Sequence, residues 1–202
     1  MKRSELFSWF LEVTASKYTR EQADSDSLSS LLLLISSQLR VEMNLRFPER
    51  VYTVEEVKRA KELVDKGHKH RLKVKGSPVF KKKVRQALEL VKTAGYYELL
   101  RTYIRSITEI DGLTQLREAE AAIWANKYAV ENPVDAASVF VQKASHMKEY
   151  LEGKLYYGGI AEKRSVEERK KFLETLRNSS KKKEVTEECE RLLRMWNDNL
   201  VY

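Results

Sequence analysis

The sequence is poor in the residues that staple, turn or catalyse. It holds one cysteine, three prolines, seven glycines and three histidines in 202 residues. Cys189 has no second cysteine to pair with, so the chain cannot carry an internal disulfide, and a reducing, cytoplasmic setting is expected. So few glycines and prolines do not suit a sandwich or barrel with many tight turns. No charged opening followed by an apolar run marks a signal peptide. The most apolar stretch, Leu31 to Ile35, is far short of the roughly 20 residues that span a bilayer. A glycine-rich phosphate loop, His-Glu-x-x-His, paired-cysteine zinc spacing and a nucleophile elbow are all absent. No catalytic residue, metal site or cofactor is therefore expected.

Charge is what the chain has in quantity. Lys and Arg number 38 against 30 Asp and Glu, a formal net charge of +8. The excess is local. Residues 1–65 carry ten cations and eleven anions, and residues 93–202 carry eighteen of each. Residues 66–92 carry ten cations against Glu89 alone. An unbalanced block of this kind is the electrostatic footprint of a polyanion partner, and a solvated charged surface of thermophile type is the alternative reading.

Hydrophobic periodicity predicts a mainly α (α+β) protein with six to seven helices and a small, partly cationic β-sheet or hairpin. The organisation expected is an N-terminal helical region over 1–67 and an α+β core over 68–202, together one compact unit. Apolar residues at helical spacing predict helices from Ser4 to Val13 and from about Asp26 to Leu45. Those apolar helices would be the contact surface of a homodimer. Thr53 and Glu56 form a capping box for a helix ending at Gly67. From His70 to Lys75 the period falls to two, which predicts a strand with Leu72 and Val74 on one face and Arg71, Lys73 and Lys75 on the other. Ser77-Pro78 then opens a helix through Leu88 and Val91. Tyr96 to Ile110 repeats as a further core helix. Glu118 to Val130 is ambiguous, with a strand favoured after Ile123. Asn132-Pro133-x-Asp135 starts a helix that Gly153 ends, Ser165 and Glu168 cap another, and a last helix carries Val185, Cys189, Leu192 and Trp196.

Within the basic block, Lys69, Arg71, Lys73 and Lys75 would line one face of the strand. Lys81, Lys82, Lys83 and Arg85 begin the next helix. Ser77 and the first helical amides offer an anion site at a positive helix end. Nucleic acid or another polyanion is the partner these residues imply, with affinity that falls as salt rises. His68 and His70 have no acidic or sulfur ligand near them in sequence and are expected to be solvated surface histidines. Cys189 falls where a small apolar residue belongs and is expected to be buried filler. Tyr156-Tyr157 beside Gly158-Gly159 reads as an aromatic loop anchor, with base stacking as the alternative.

One further segment carries a resemblance. Val139-Phe140-Val141-Gln142-Lys143-Ala144-Ser145-His146 has an apolar lead-in and i, i+4 polar spacing, follows an extended-looking stretch at 123–130, and precedes the acidic run Glu184 to Glu188. Over about residues 120–199 this resembles a zincin-type (gluzincin-type) metallopeptidase with a ruined His-Glu-x-x-His helix. The resemblance implies that Gln142 stands for the first ligand histidine and Lys143 for the general-base glutamate. His146 is then the surviving ligand and Glu187 a relic third ligand. A glutamine carbonyl binds zinc poorly, and a lysine repels the ion and cannot serve as a carboxylate base. Loss of the base alone removes on the order of 10²–10⁴ in rate. The resemblance therefore implies a pseudo-enzyme. The residues equally fit an ordinary amphipathic helix, because His146 lies roughly 130° from the centre of the apolar stripe, and Gln142 and Ser138 lie further round.

Overall fold

In the computed structural model, residues 46–198 are described, together with Leu33, Ile35 and Ser36. Those three are helical, and the Ser36 hydroxyl donates to the Leu33 carbonyl at 2.9 Å. The rest of the helices expected at 4–13 and 26–45, and the dimer surface placed on them, lie outside the described residues. The chain divides into two units, residues 1–46 and 47–202, so the helix after Thr53 belongs to the second unit. All that follows concerns that unit.

Local signals place most of its elements. The Thr53 hydroxyl accepts from the Glu56 amide (3.2 Å) while the Glu56 carboxylate accepts from the Thr53 amide (2.9 Å), which starts α1, Val54–Asp65. Strand β1, Lys73–Lys75, leads through Gly76 and the Ser77 cap into α2, Pro78–Thr93. Gly76 has φ +145, and a Cβ there would lie 2.6 Å from the Cβ of Glu109, so only glycine fits this turn. Asn132 accepts from the amides of Val134 and Asp135 (3.0 and 3.1 Å) and, with Pro133 in the first turn, begins α4, Pro133–Leu151.

Two expectations require correction. The run from Tyr96 to Ile110 is not one helix. It is α3, Tyr97–Tyr103, followed by strand β2, Ser106–Ile110. Its apolar residues suit either structure, but Ile104, Ile107, Thr108 and Ile110 are β-branched, and pairing on both edges makes this an interior strand. The capping box read at Ser165 and Glu168 does not start a helix either. One helix, α5, runs from Gly159 to Ser179, and Ser165 is a buried interior residue of it. Glu118 to Val130 resolves into a 3-10 turn, strand β4 (Ala122–Asn126) and a second 3-10 turn, preceded by strand β3, Gln115–Arg117. Helix α6, Lys183–Asp198, closes the described chain. The class is therefore the expected one: mainly helical, with six α-helices among the described residues and one small mixed sheet.

The strand order is β1-β2-β4-β3, parallel between β1, β2 and β4, with β3 antiparallel at the edge. The register sets Val74, Ile107, Ile123 and Leu116 side by side across all four strands. That row joins the core, packed with Phe80, Val84, Leu100, Phe140 and Met147 from the helices. Because side chains alternate along a strand, the neighbouring rows, Lys73-Ser106-Ala122-Arg117 and Lys75-Thr108-Trp124-Gln115, face away from that core. Helix α4 is the central element, contacting α2, α3, α5, α6 and β3. Eleven of its nineteen residues are buried. None of the described helices is long and apolar enough to cross a membrane.

Candidate functional site

The cations of the basic block fall into two groups. Lys73 and Lys75 point outward from β1, and Arg71 precedes them; all three are exposed. Lys82 and Arg85 are exposed and Lys81 partly so at the start of α2. None of these six, nor the exposed Lys66 at the end of α1, forms an ion pair among the described residues, whereas Lys83 pairs with Glu131, Lys92 with Glu89 and Lys69 with Glu98. Lys69 also donates to Thr102. The strand and the helix start meet across only Gly76 and Ser77, so one end of the edge strand carries charge from both.

Ser77 is not free to bind an external anion. Its amide donates to the Glu109 carboxylate at 2.6 Å and its hydroxyl to the other oxygen at 3.1 Å, while the same hydroxyl accepts from the Phe80 amide. A carboxylate from β2 occupies the helix end the sequence had offered to phosphate. Glu109 alternates with Thr108 along β2, which explains why spacing within the block could not reveal it.

The histidines of the block are not solvated as expected. His70 is 6% exposed and His68 half-buried. Their rings meet at 3.3 Å between Nε2 and Nδ1, and both pack on the ring of Phe47. Burial lowers both pKa values, with Arg105 opposing charge on each; His70 is pushed down to about 3. The period-two pattern begins at His70, and it marks a core-facing position there.

The second candidate site is the polar stripe of α4. Ser138, Gln142 and His146 are 0, 8 and 1% exposed, so this face is not solvated, as a plain amphipathic helix would require. Helix α5 and the loop before it cover it with polar groups of their own. Arg169 reaches the Ser138 hydroxyl at 3.0 and 3.2 Å and Asp135 at 2.6 Å. The Gln142 amide donates to the Ser165 hydroxyl at 2.7 Å. The ring of Tyr157 meets the His146 ring edge-on at 5.9 Å, and its hydroxyl donates to Glu118 at 2.6 Å. Tyr157 is thus an anchor that pins the loop to the sheet side.

Both ring nitrogens of His146 are buried without a hydrogen-bond partner. Burial lowers its pKa, Lys143 adds to this, and Glu162, Glu149 and Glu118 oppose it. Lys143 is half-buried, and burial likewise lowers its pKa. Glu187 is not part of this cluster: it is exposed on α6 and paired with Lys183 at 3.5 Å. The donor set does not fit a catalytic zinc: Gln142 offers only an amide carbonyl, Lys143 supplies an amine where a carboxylate base is needed, and Glu118 is held by Tyr157. No group of three or more metal-ligating side chains occurs among the described residues.

An open groove of about 800 Å³ lies elsewhere, between α2, the start of α4 and α6. Three of its four rim acids are engaged internally, Glu89 by Lys92, Glu131 by Lys83, and Glu188 by Arg191 and Asn132. Cys189 is fully buried and its thiol is pushed up to about 11 by burial, which leaves it inert filler. No family model matches the chain, and neither a curated protein nor a solved structure is similar to it.

Proposed function

We propose that the chain is a non-enzymatic binding protein that contacts nucleic acid or another polyanion through residues 66–92. The observation that carries this reading is a set of six cations without an ion pair among the described residues, Arg71, Lys73, Lys75, Lys81, Lys82 and Arg85, carried by the edge strand, the residue before it and the first turns of the helix that follows. Elsewhere Lys148, Lys154, Arg164, Lys170, Lys171, Lys183 and Arg191 sit against carboxylates of their own neighbourhood, while Lys127, Lys163, Lys181 and Lys182 form no ion pair among the described residues. Ser77 and Lys83 leave the contact set, because Glu109 and Glu131 already hold them. A cytoplasmic setting accords with the single, buried, unpaired cysteine.

Electrophoretic shift with duplex and single-stranded DNA at two salt concentrations tests this. A shift at low salt that weakens steeply at higher salt is expected, because each phosphate contact contributes a slope of about 0.7–0.9 in log K against log salt. Changing Lys73, Lys75, Lys81 and Lys82 together to Gln should flatten that slope by about three. No binding by the wild-type chain even at low salt sinks the reading.

A second reading concerns ancestry: the scaffold is a catalytically inactive zincin relative. Its support is that antiparallel edge strand β3 lies beside β4, and that the next helix places Gln142, Lys143 and His146 together under a cover. The edge strand falls at 115–117, not in the 123–130 stretch. Purified protein is expected to carry no stoichiometric zinc. Zinc at one equivalent, lost on His146→Ala, would restore a metalloenzyme interpretation.

A further inference from the structure

The polyanion reading leaves open what kind of strand is bound, and the sheet bears on that. We infer that the outer face of the sheet is a platform for single-stranded nucleic acid, with Trp124 as the stacking residue; this rests on the polyanion reading. The register puts Lys75, Thr108, Trp124 and Gln115 in one row across the four strands, and Lys73 and Arg117 at opposite ends of the adjacent row. Strand spacing makes each row about 14 Å wide. Lys73, Lys75, Gln115 and Arg117 are exposed and Thr108 and Trp124 partly so, whereas Ser106 and Ala122 in the middle of the adjacent row are buried, so the open part of the face is the Lys75-Thr108-Trp124-Gln115 row and the two ends of its neighbour. No residue on this face of the four strands is acidic; Glu109 belongs to the opposite face and is held by Ser77.

Trp124 is not needed to complete the core, which the Val74-Ile107-Ile123-Leu116 row already fills from the other face. The Arg117 guanidinium lies over its ring, 4.5 Å from the centroid, so a base reaches that ring face as Arg117 swings out to a phosphate. Unstacked bases use an aromatic face of this kind, with the phosphates reaching flanking cations. A duplex keeps its base faces covered and can use only the cations. An acidic peptide gains nothing from the ring, whose face is electron-rich and disfavours carboxylate.

The discriminating experiment is fluorescence anisotropy at fixed salt with labelled 12-mers of oligo(dT) and oligo(U) and a 12-base-pair duplex. The wild-type chain should prefer the single strands. Trp124→Ala should lower the ratio of single-strand to duplex affinity by between about 5- and 150-fold. Trp124→Tyr should recover most of that ratio, which a merely structural loss would not predict, and the melting temperatures of both variants report on folding. Lys75→Gln should weaken single strands and duplex alike. A folded Trp124→Ala chain with an unchanged ratio overturns the platform and leaves the polyanion reading standing. A wild-type chain that binds none of the three probes overturns both.

Discussion

Asp135→Ala is expected to lower the stability of the folded chain by about 2–3 kcal/mol, while Arg169→Met changes it by less than about 1 kcal/mol in either direction. The asymmetry follows from which charge is buried. Arg169 is 8% exposed, lies with its guanidinium 4.5 Å from the Trp196 ring, and has Asp135 as its one anionic partner among the described residues. Removing the carboxylate leaves a buried cation with one neutral acceptor, the Ser138 hydroxyl. Breaking a fully buried pair costs about 3–5 kcal/mol, and the side chain of Asp135 is 36% exposed, so solvent screening brings the cost to the bottom of that range or below it. Removing the guanidinium deletes the desolvation cost along with the charge. It strands little, since the Ser138 hydroxyl still donates to the Asp135 carbonyl at 2.7 Å. Asp135 also sits in the first turn of α4, where a negative charge is favoured, and Asp135→Asn separates that contribution by keeping an acceptor without the charge. Urea unfolding of the three variants and of the Asp135→Ala, Arg169→Met double variant decides the matter. The double variant should be more stable than Asp135→Ala alone. An Arg169→Met chain less stable than Asp135→Ala would show that the guanidinium contributes through packing and not through its pair.

Capping chemistry placed α1, α2 and α4 because Thr53, Ser77 and Asn132 act on amides two or three residues away. Period two located β1 but overran its start: the strand expected from His70 begins at Lys73, although Leu72 and Val74 pack on the core while Lys73 and Lys75 do not. The errors came where tertiary contacts override local preference. Tyr96 to Ile110 has apolar spacing suited to a helix, and only pairing to both β1 and β4 makes its second half a strand. Ser165 has the composition of a cap, yet Gln142, 23 positions earlier, uses its hydroxyl inside the fold. For the candidate sites, the charge imbalance of 66–92 was fully legible. The engagement of Ser77 by Glu109 and of Lys83 by Glu131 was not, since those carboxylates lie 32 and 48 residues away in sequence. The polar stripe of α4 misled for a related reason. Polarity along a helix reports hydrogen-bonding capacity, and whether that capacity meets water or α5 is set elsewhere in the chain.

Two buried histidines make stability depend on pH in a window that carboxylates do not reach. His70 has its folded pKa pushed from 6.5 to about 3 by burial, with His68 and Arg105 adding to the shift. His68 is lowered in the same direction by burial and Arg105, and His146 by burial first and Lys143 second, against Glu162, Glu149 and Glu118. A lowered folded pKa means that the unfolded chain binds more protons between the two values, so stability rises with pH there. The contribution is complete above pH 6.5 and is lost progressively as the pH falls toward about 3. Between pH 8 and 5, His70 alone accounts for about 2 kcal/mol of that loss. The carboxylates with lowered pKa values, Glu56, Glu152 and Glu188, lose their stabilisation only as the pH drops below about 4.5 and so leave this window clear. Urea midpoints at pH 8, 6.5 and 5 should fall in that order for the wild-type chain. His70→Phe should remove most of the dependence between pH 8 and 5, since a phenyl ring can keep the packing on Phe47 without a proton to accept. His146→Leu should remove a further part, and it should do so without loss of stability at pH 8, because neither nitrogen of that ring has a hydrogen bond to give up. A wild-type midpoint that is flat from pH 8 to 5 would mean that both rings reach solvent in the folded chain, and that the cover of α5 over the polar stripe of α4 is open in solution.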